Sequence, residues 1–254
     1  PVALPFGGVW LAGKDVLGHA VATGSYEDAD WQAVRRLVGR GMTAIDGGAH
    51  QGFYTLLLSR CVGPDGLVVA FEPSPRELQR LQCHLRLNRR RNVWVEPLAL
   101  GARAGTVGLF VVEGRDTGCN SLRPPDVSEP TTQRTVGMTP LDKYVEEHGL
   151  RRVDFIKLDV EGGELDALRG AERVLQRTRP VIMCEVEDRR TLPWGYRAAE
   201  ILDYLAAVGY TFFQATGGGQ LVPLPVEGRS GVPGRNVFAV PEERSAHVAG
   251  NARE

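Results

Sequence analysis

The chain has 254 residues, 43% of them hydrophobic, and its 30 lysines and arginines nearly balance 31 aspartates and glutamates. That length fits one large domain, or one domain with a modest extension, and the apolar fraction is ample for a core. A net charge of −1 provides no global field for nucleic acid or an anionic membrane, so any partner must be recognised at a local site. No apolar run is long enough to span a bilayer, and no signal-peptide pattern opens the sequence. Cys61, Cys83, Cys119 and Cys184 are scattered without a C-x-x-C pair, which suits free thiols in a reducing compartment and argues against zinc. The expected location is the cytoplasm.

In chain order, short apolar runs broken by Gly13, Lys14, Asp15 and Gly18 predict a small hairpin over 9–22. A helix over 27–38 follows, with Trp31, Val34, Leu37 and Val38 on one face and Asp28 and Asp30 in its first turn. Gly39 and Gly41 stop it before a first core strand that ends at Asp46. A helix over 51–61, a turn over 63–66, a strand over 67–72, a helix from Pro75 to about Asn88 and a strand over 92–96 come next. Between 101 and 136, turn residues separate short β-type runs such as 106–112, an excursion from the α/β rhythm. A helix over 141–148, a strand over 153–159, a helix over 164–176, a strand over 180–186 and a helix over 197–208 restore that rhythm. Strands over 210–216 and 236–240 form a closing antiparallel pair, and the polar tail over 241–254 is expected to fray. Such alternation predicts an α/β fold, a mostly parallel sheet with helices on both faces. The expected organisation is an N-terminal hairpin and helix over 1–40 packed on a core domain over 41–240. Within that core, 101–136 would act as a lid or acceptor-binding wall.

The stretch AIDGGAHQG, at 44–52, joins the first core strand to a glycine turn and a helix. Gly47, Gly48, Ala49 and Gly52 let the backbone approach a ligand closely, and the helix start offers unpaired N–H groups. These glycines cannot be laid onto the dinucleotide spacing G-x-G-x-x-G. Asp46 ahead of them is a better match to S-adenosylmethionine (SAM), where an acidic residue meets the ammonium side of the ligand. A tight turn without a ligand stays open on this stretch alone. Ligands of open α/β sheets bind outside the carboxyl ends of the strands. Acidic residues stand at four such ends: Asp46, Glu72, Asp159 and Glu185. Glu72 lies one strand-helix-strand repeat after Asp46, placed to accept hydrogen bonds from a ribose diol.

Taken together, these segments resemble the FkbM-type SAM-dependent methyltransferases from about Tyr26 to Glu185. AIDGGAHQGFYT is similar to the family's cofactor loop, FEPSP to its ribose turn and NVWVEPLALG to its third-strand segment. TGCNSL, MTPLDKY and DFIKLDVEGGELDALRGA follow in the same order. His50 and Gln51 depart from the family's more usual Asn and Ile or Val, and Asn120 stands where a small residue is common. The resemblance implies a Rossmann-like class I methyltransferase fold with SAM as cofactor. The cofactor site it implies comprises Asp46, Gly47, Gly48, Ala49, His50, Gly52, Phe53, Tyr54, Thr55, Glu72, Pro73, Ser74, Ala99 and Asp159. The implied reaction is O-methylation of a small molecule, a sugar or a glycosylated or polyketide natural product. N-methylation of a peptide natural product is the nearest enzymatic rival, and an NAD-binding oxidoreductase or a non-catalytic SAM-binding protein are the others.

Methyl transfer to a hydroxyl needs alignment, exclusion of water and a group to take the proton. Asp159, Glu161, Glu185 and His50 are the catalytic candidates, with Glu187, Asp188 and His19 behind them. Lys157 projects to the same side of its strand as Asp159. Asp159 and Glu185 end strands expected to be neighbours, so they can converge on a hard cation such as Mg²⁺, although such carboxylates also serve as solvated termini. Asp116, Asn120 and Ser121 of the excursion, together with Glu187, are the acceptor-binding candidates. The arginine run at 86–91 reads as a solvated helix end. The expected partner is a small-molecule acceptor, with no nucleic acid or membrane, and a homodimer is an open option.

Overall fold

The computed structural model describes residues 1–224 and 235–250. Two short strands, β1 (Val2–Ala3) and β2 (Val9–Trp10), pair antiparallel ahead of two helices, α1 (Val16–Thr23) and α2 (Asp28–Leu37). The hairpin predicted over 9–22 is therefore corrected: the pairing lies upstream, and 16–23 is helical. Asp15 is an N-cap, its Oδ1 accepting the Gly18 N–H at 2.7 Å, and Gly24 closes the helix at φ 72°. What reads in sequence as turn residues is thus the start of a helix. Gly18 is required inside it, because a Cβ there would stand 2.6 Å from the backbone nitrogen of Gly13.

The core then alternates: β3 (Thr43–Gly47), α3 (Phe53–Val62), β4 (Leu67–Phe71), α4 (Pro75–Leu87) and β5 (Val93–Glu96). The excursion follows as β6 (Leu98–Leu100), β7 (Gly105–Val112) and β8 (Thr131–Thr139), a separate three-stranded sheet in the order β6-β8-β7. Next come α5 (Leu141–Glu147), β9 (Phe155–Leu158), α6 (Glu164–Arg169), α7 (Glu172–Arg177) and β10 (Val181–Val186). The described chain is completed by α8 (Asp188–Thr191), α9 (Ala199–Ala207), β11 (Tyr210–Thr216), β12 (Gln220–Pro223), β13 (Arg235–Pro241) and α10 (Glu242–Gly250).

Eight strands form the main sheet in the order β12-β11-β13-β10-β9-β3-β4-β5. From β10 to β5 every pairing is parallel, while β13, β11 and β12 run antiparallel. This is the Rossmann-like arrangement expected from the alternation. Side chains alternate between two cores. Ala44, Val68, Phe155 and Met183 pack with α2, α3 and α4, whereas Ile45, Val69, Ile156 and Ile182 pack with α5, α6, α7 and α9. Burial on both faces explains why these strands read as continuous apolar runs.

Three further expectations are corrected. The closing pair is three strands, because the Gly217–Gly219 turn leads into β12; Gly219 presses on α2, where a Cβ would lie 2.4 Å from the Ala33 nitrogen. The helix predicted over 164–176 is two, broken where Gly170 approaches Gly101 so closely that a Cβ would sit 2.2 Å from its carbonyl oxygen. Residues 242–250 are helical rather than frayed, with Arg179 Nη2 2.9 Å from Glu243 Oε2; the rest of the predicted tail, 251–254, lies outside the described residues. Among the described residues no helix is long and apolar enough to cross a membrane. Removing the α1 cap with Asp15→Ala should cost about 1 kcal/mol. The thermal midpoint would then fall by about 2–4 °C, and an unchanged midpoint in scanning calorimetry would show that the cap contributes nothing.

Candidate active site

Parallel pairing sets Asp46 of β3 directly beside Lys157 of β9, so both side chains leave the same face of the sheet. Lys157 Nζ lies 4.0 Å from Asp46 Oδ1 and 3.1 Å from Asp159 Oδ2, and it donates to the Gly48 carbonyl at 3.0 Å. Burial pushes the ammonium pKa down, but Asp159, Asp46 and Glu27 outweigh it and hold that pKa well above its ordinary value. Asp46 is fully buried; Thr55 Oγ1 donates to its Oδ2 at 2.6 Å, and burial raises its carboxyl pKa.

Beyond β3 the chain turns at Gly48, φ 74°, where a Cβ would stand 1.8 Å from the Asp159 carbonyl oxygen. Only glycine lets the turn and the end of β9 touch. His50 is left-handed as well, φ 49°, which aims its N–H at Glu72 Oε2, 2.7 Å away. Ser74 N–H donates to Glu72 Oε1 at 2.8 Å, and burial raises the Glu72 carboxyl to about 8 despite both hydrogen bonds. The His50 ring, lowered in pKa chiefly by burial, places Nε2 3.1 Å from Thr117 Oγ1.

These groups edge a cavity of about 650 Å³ outside the carboxyl ends of β3, β4, β9 and β10. Gly48, Ala49, His50, Phe53 and Tyr54 form one side, with Glu72, Pro73 and Ala99 next to them. Asp159, Glu161 and Glu185 form another, and Asp116 and Asn120 of the excursion face them. Asn120 is fixed there by accepting the Val112 N–H at 2.9 Å.

Other expected site residues stand behind this wall. Asp46, Gly47 and Thr55 are covered by it, and Gly52 seats on Leu81, where a Cβ would meet the side chain at 2.4 Å. Ser74 Oγ turns to Glu77 at 2.5 Å, while Ser121 Oγ donates to the Glu161 carbonyl at 2.7 Å. Glu187 lies 3.6 Å from Arg190 Nε, Asp188 accepts the Ala198 N–H at 2.8 Å, and His19 is exposed on α1.

Three acidic or basic groups at the site escape a sequence reading. Glu27 sits in the cavity wall, Tyr54 donates to its Oε2 at 2.5 Å, and burial raises its carboxyl to about 7. Its partner is 27 residues away, so no local pattern announces the pair. Glu164 reads as an ordinary first-turn acid of a helix, yet its Oε1 accepts the Val160 and Gly162 N–H groups at 2.8 and 3.2 Å. Its Oε2 is buried without a partner, as is Oε2 of Glu185, and ligand atoms of Asp159, Glu164 and Glu185 lie within 4.8 Å of one another. Arg190 is ion-paired to Glu161 at 3.0 Å. Burial first, and Asp159 second, hold the Glu161 and Glu185 carboxyls well above the usual carboxylate range.

The model of the methyltransferase FkbM domain matches residues 46–212, from the acid of β3 to the middle of β11. The chain belongs to the methyltransferase FkbM family. It is similar to Methyltransferase 1 of Beauveria bassiana, at 28% identity over 144 residues, covering 50% of this chain and 57% of that protein. It is also similar to Methyltransferase sdnD of Sordaria araneosa, at 27% identity over 156 residues, covering 50% and 60%. Among solved structures, methyltransferase FkbM from Methylobacillus flagellatus KT shares the fold, with a TM-score of 0.53 and 18% identity over 83% of this chain and 48% of that one. The chain thus spans less than two thirds of the length of these relatives.

Two predictions test the electrostatics of this FkbM-family site. Lys157→Met leaves Asp46 buried and unpaired, and should lower unfolding free energy in denaturant titration by about 3–5 kcal/mol; a loss under about 1 kcal/mol would show the pair to be dispensable. Glu27, Glu72 and Glu164 sit at about 7, 8 and 7, against an ordinary 4.5. Between roughly pH 5 and 8 the folded chain therefore holds protons that the unfolded chain has released, so stability falls as pH rises. Without ligand, the melting midpoint at pH 8.5 should lie at least about 3 °C below that at pH 6, and a rise would contradict the assignment.

Proposed function

We propose that the chain is a SAM-dependent O-methyltransferase for a hydroxyl of a small molecule of the sugar, glycosylated or polyketide kind. The observation that carries this reading is convergence: the glycine turn, Glu72 and the β9 and β10 carboxylates edge one cavity of about 650 Å³. That volume suits a nucleoside-sized cofactor together with part of an acceptor. The Beauveria bassiana and Sordaria araneosa relatives are both named methyltransferases, which supports the same reaction class.

When bound, SAM supplies an electrophilic methyl group on a sulfonium; the methyl–sulfur bond breaks as the bond to the acceptor oxygen forms. The chain's own residues then have four tasks. Glu72 keeps a lone pair on each oxygen beyond the His50 and Ser74 N–H groups, enough to receive a ribose diol, and Pro73, Ala99 and Leu100 give an apolar seat beside it. Asp159, held by Lys157 at 3.1 Å, is the base that takes the hydroxyl proton. Glu185, with its proton retained by burial, orients the acceptor by hydrogen bonding. Helix α1 and the loop between β7 and β8, joined where Val16 N–H donates to the Arg115 carbonyl at 3.0 Å, cover the cavity together and exclude water.

A second reading has its own observation. Two buried, unpartnered oxygens, Oε2 of Glu164 and Oε2 of Glu185, lie beside Asp159, a donor set of hard oxygens suited to Mg²⁺. Such a cation would orient vicinal hydroxyls and lower their pKa.

Both readings are separable with labelled SAM and a panel of hydroxylated acceptors. Asp159→Asn should lower turnover by about 10²–10⁴-fold while the SAM dissociation constant stays within about threefold. Activity that EDTA abolishes and Mg²⁺ restores, and that Glu164→Gln loses, supports the cation; EDTA-resistant turnover removes it. Transfer only to amide or amine acceptors, insensitive to Asp159→Asn, would overturn O-methylation in favour of N-methylation.

A further inference from the structure

Sequence reading assigns the ammonium side of the methyl donor to Asp46, and the structure withholds Asp46 from that task. Its side chain is fully buried and absent from the cavity wall; Thr55 occupies one oxygen, and the other faces Lys157 at 4.0 Å. Lys157, which is in the cavity wall, stands between Asp46 and a ligand there. Asp159, the next carboxylate, has one oxygen engaged by Lys157.

We propose that Glu27 is the residue that receives the methyl donor's α-ammonium, so that the cofactor site is completed by the segment ahead of the α/β core. This inference rests on the SAM reading above. Glu27 lies outside the stretch that matches the family domain, 46–212, yet it enters the cavity wall next to Tyr26, Phe53 and Tyr54.

Three observations carry the assignment. First, Glu27 occupies the N-cap position of α2 but makes no cap with its side chain; at φ 42° and ψ 47° the backbone directs that side chain away from its own helix. A non-glycine residue in this region carries strain of about 1 kcal/mol or more, and such strain is found where function over-determines the geometry. Second, the carboxylate is aimed. Tyr54 fixes Oε2 by a 2.5 Å hydrogen bond, and Oε1 has no hydrogen bond to any described residue. The Tyr54 ring is itself positioned by Tyr26, Phe53 and the Lys157 ammonium, 5.7 Å from its centroid. Third, charge is unbalanced. Lys157 is the cation for Asp46, Asp159 and Glu27 together, so carboxylates around it outnumber their counter-charge. Burial raises the Glu27 carboxyl to about 7, and a primary ammonium bound at Oε1 supplies the counter-charge that lets it ionise.

A ligand-by-residue cycle tests this without turnover. Isothermal titration compares SAM, S-adenosylhomocysteine and its deaminated analogue, which keeps the carboxylate and replaces the α-ammonium by hydrogen, against wild type and Glu27→Gln. Wild type should prefer S-adenosylhomocysteine over the deaminated analogue by about tenfold or more, and Glu27→Gln should reduce that preference to within about twofold. Tyr54→Phe, which keeps the carboxylate but loses the hydroxyl that aims it, should reduce the preference partly and serves in place of Glu27→Gln if that variant does not fold. An undiminished preference in a folded Glu27→Gln overturns the proposal, as does equal weakening of both ligands, the mark of a structural role. Wild type that binds none of the three overturns the SAM reading itself, and this inference with it.

Discussion

One ammonium organises the carboxyl end of this sheet. Lys157 sits in a position that sequence rules reserve for an apolar residue, midway along a buried strand, and it is accepted because the register places Asp46 beside it. Neither charge is tolerable alone in that interior; the ion pair at 4.0 Å, with Gly48 and Asp159 accepting hydrogen bonds from the ammonium, is. The consequence is positional. The glycine turn is tied to β9 through the Gly48 carbonyl, so these two sides of the cavity are held in one frame. Fixing both sides to a common cation keeps them aligned.

Strain collects around the same frame. Among the described residues, Glu27, His50, Arg89, Glu161 and Arg179 are the non-glycine residues with positive φ, and the first, second and fourth of these line the cavity. Each redirects something useful: the His50 turn aims an N–H at Glu72, the Glu27 turn aims a carboxylate at Tyr54, and the Glu161 turn brings a carboxyl to Arg190. Their energy cost is repaid by hydrogen bonds that a relaxed backbone would not make.

The parallel core is legible in the sequence because its signal is local. Apolar runs, glycine stops and acids at strand ends lie within a few residues of one another, and β3, β4, β9 and β10 are marked by them. Asp159, Glu72 and Glu185 are legible for the same reason, standing where a buried run meets the ligand side of the sheet. What escapes is non-local. Asp46 carries the same signal as Glu72 but is covered, since its neighbour across the register, Lys157, claims it. Glu27 meets Tyr54, and Glu164 folds back on its own loop, through contacts that no spacing rule encodes. The errors at the chain's ends have another origin: Asp15 and Gly18 carry turn chemistry and cap chemistry alike, and only tertiary packing chooses between them.

The same surplus of carboxylates bears on turnover under the proposed reaction. Glu27, Glu72, Asp159, Glu161 and Glu185 share the cavity wall with Lys157, Arg189 and Arg190, so the wall is richer in acid than in base. A sulfonium carries a positive charge that its thioether product lacks. An ionised carboxylate beside the sulfonium therefore favours the cofactor before transfer more than after it. Removal of the hydroxyl proton works against this by leaving one more proton on the wall, which partly neutralises the acid cluster at the moment the sulfonium charge disappears. The two changes compensate, so transfer leaves the net charge in the cavity unchanged. A wall built only of fixed bases or only of apolar residues would lack that compensation, and this gives a physical reason for so many carboxyl groups to crowd one site.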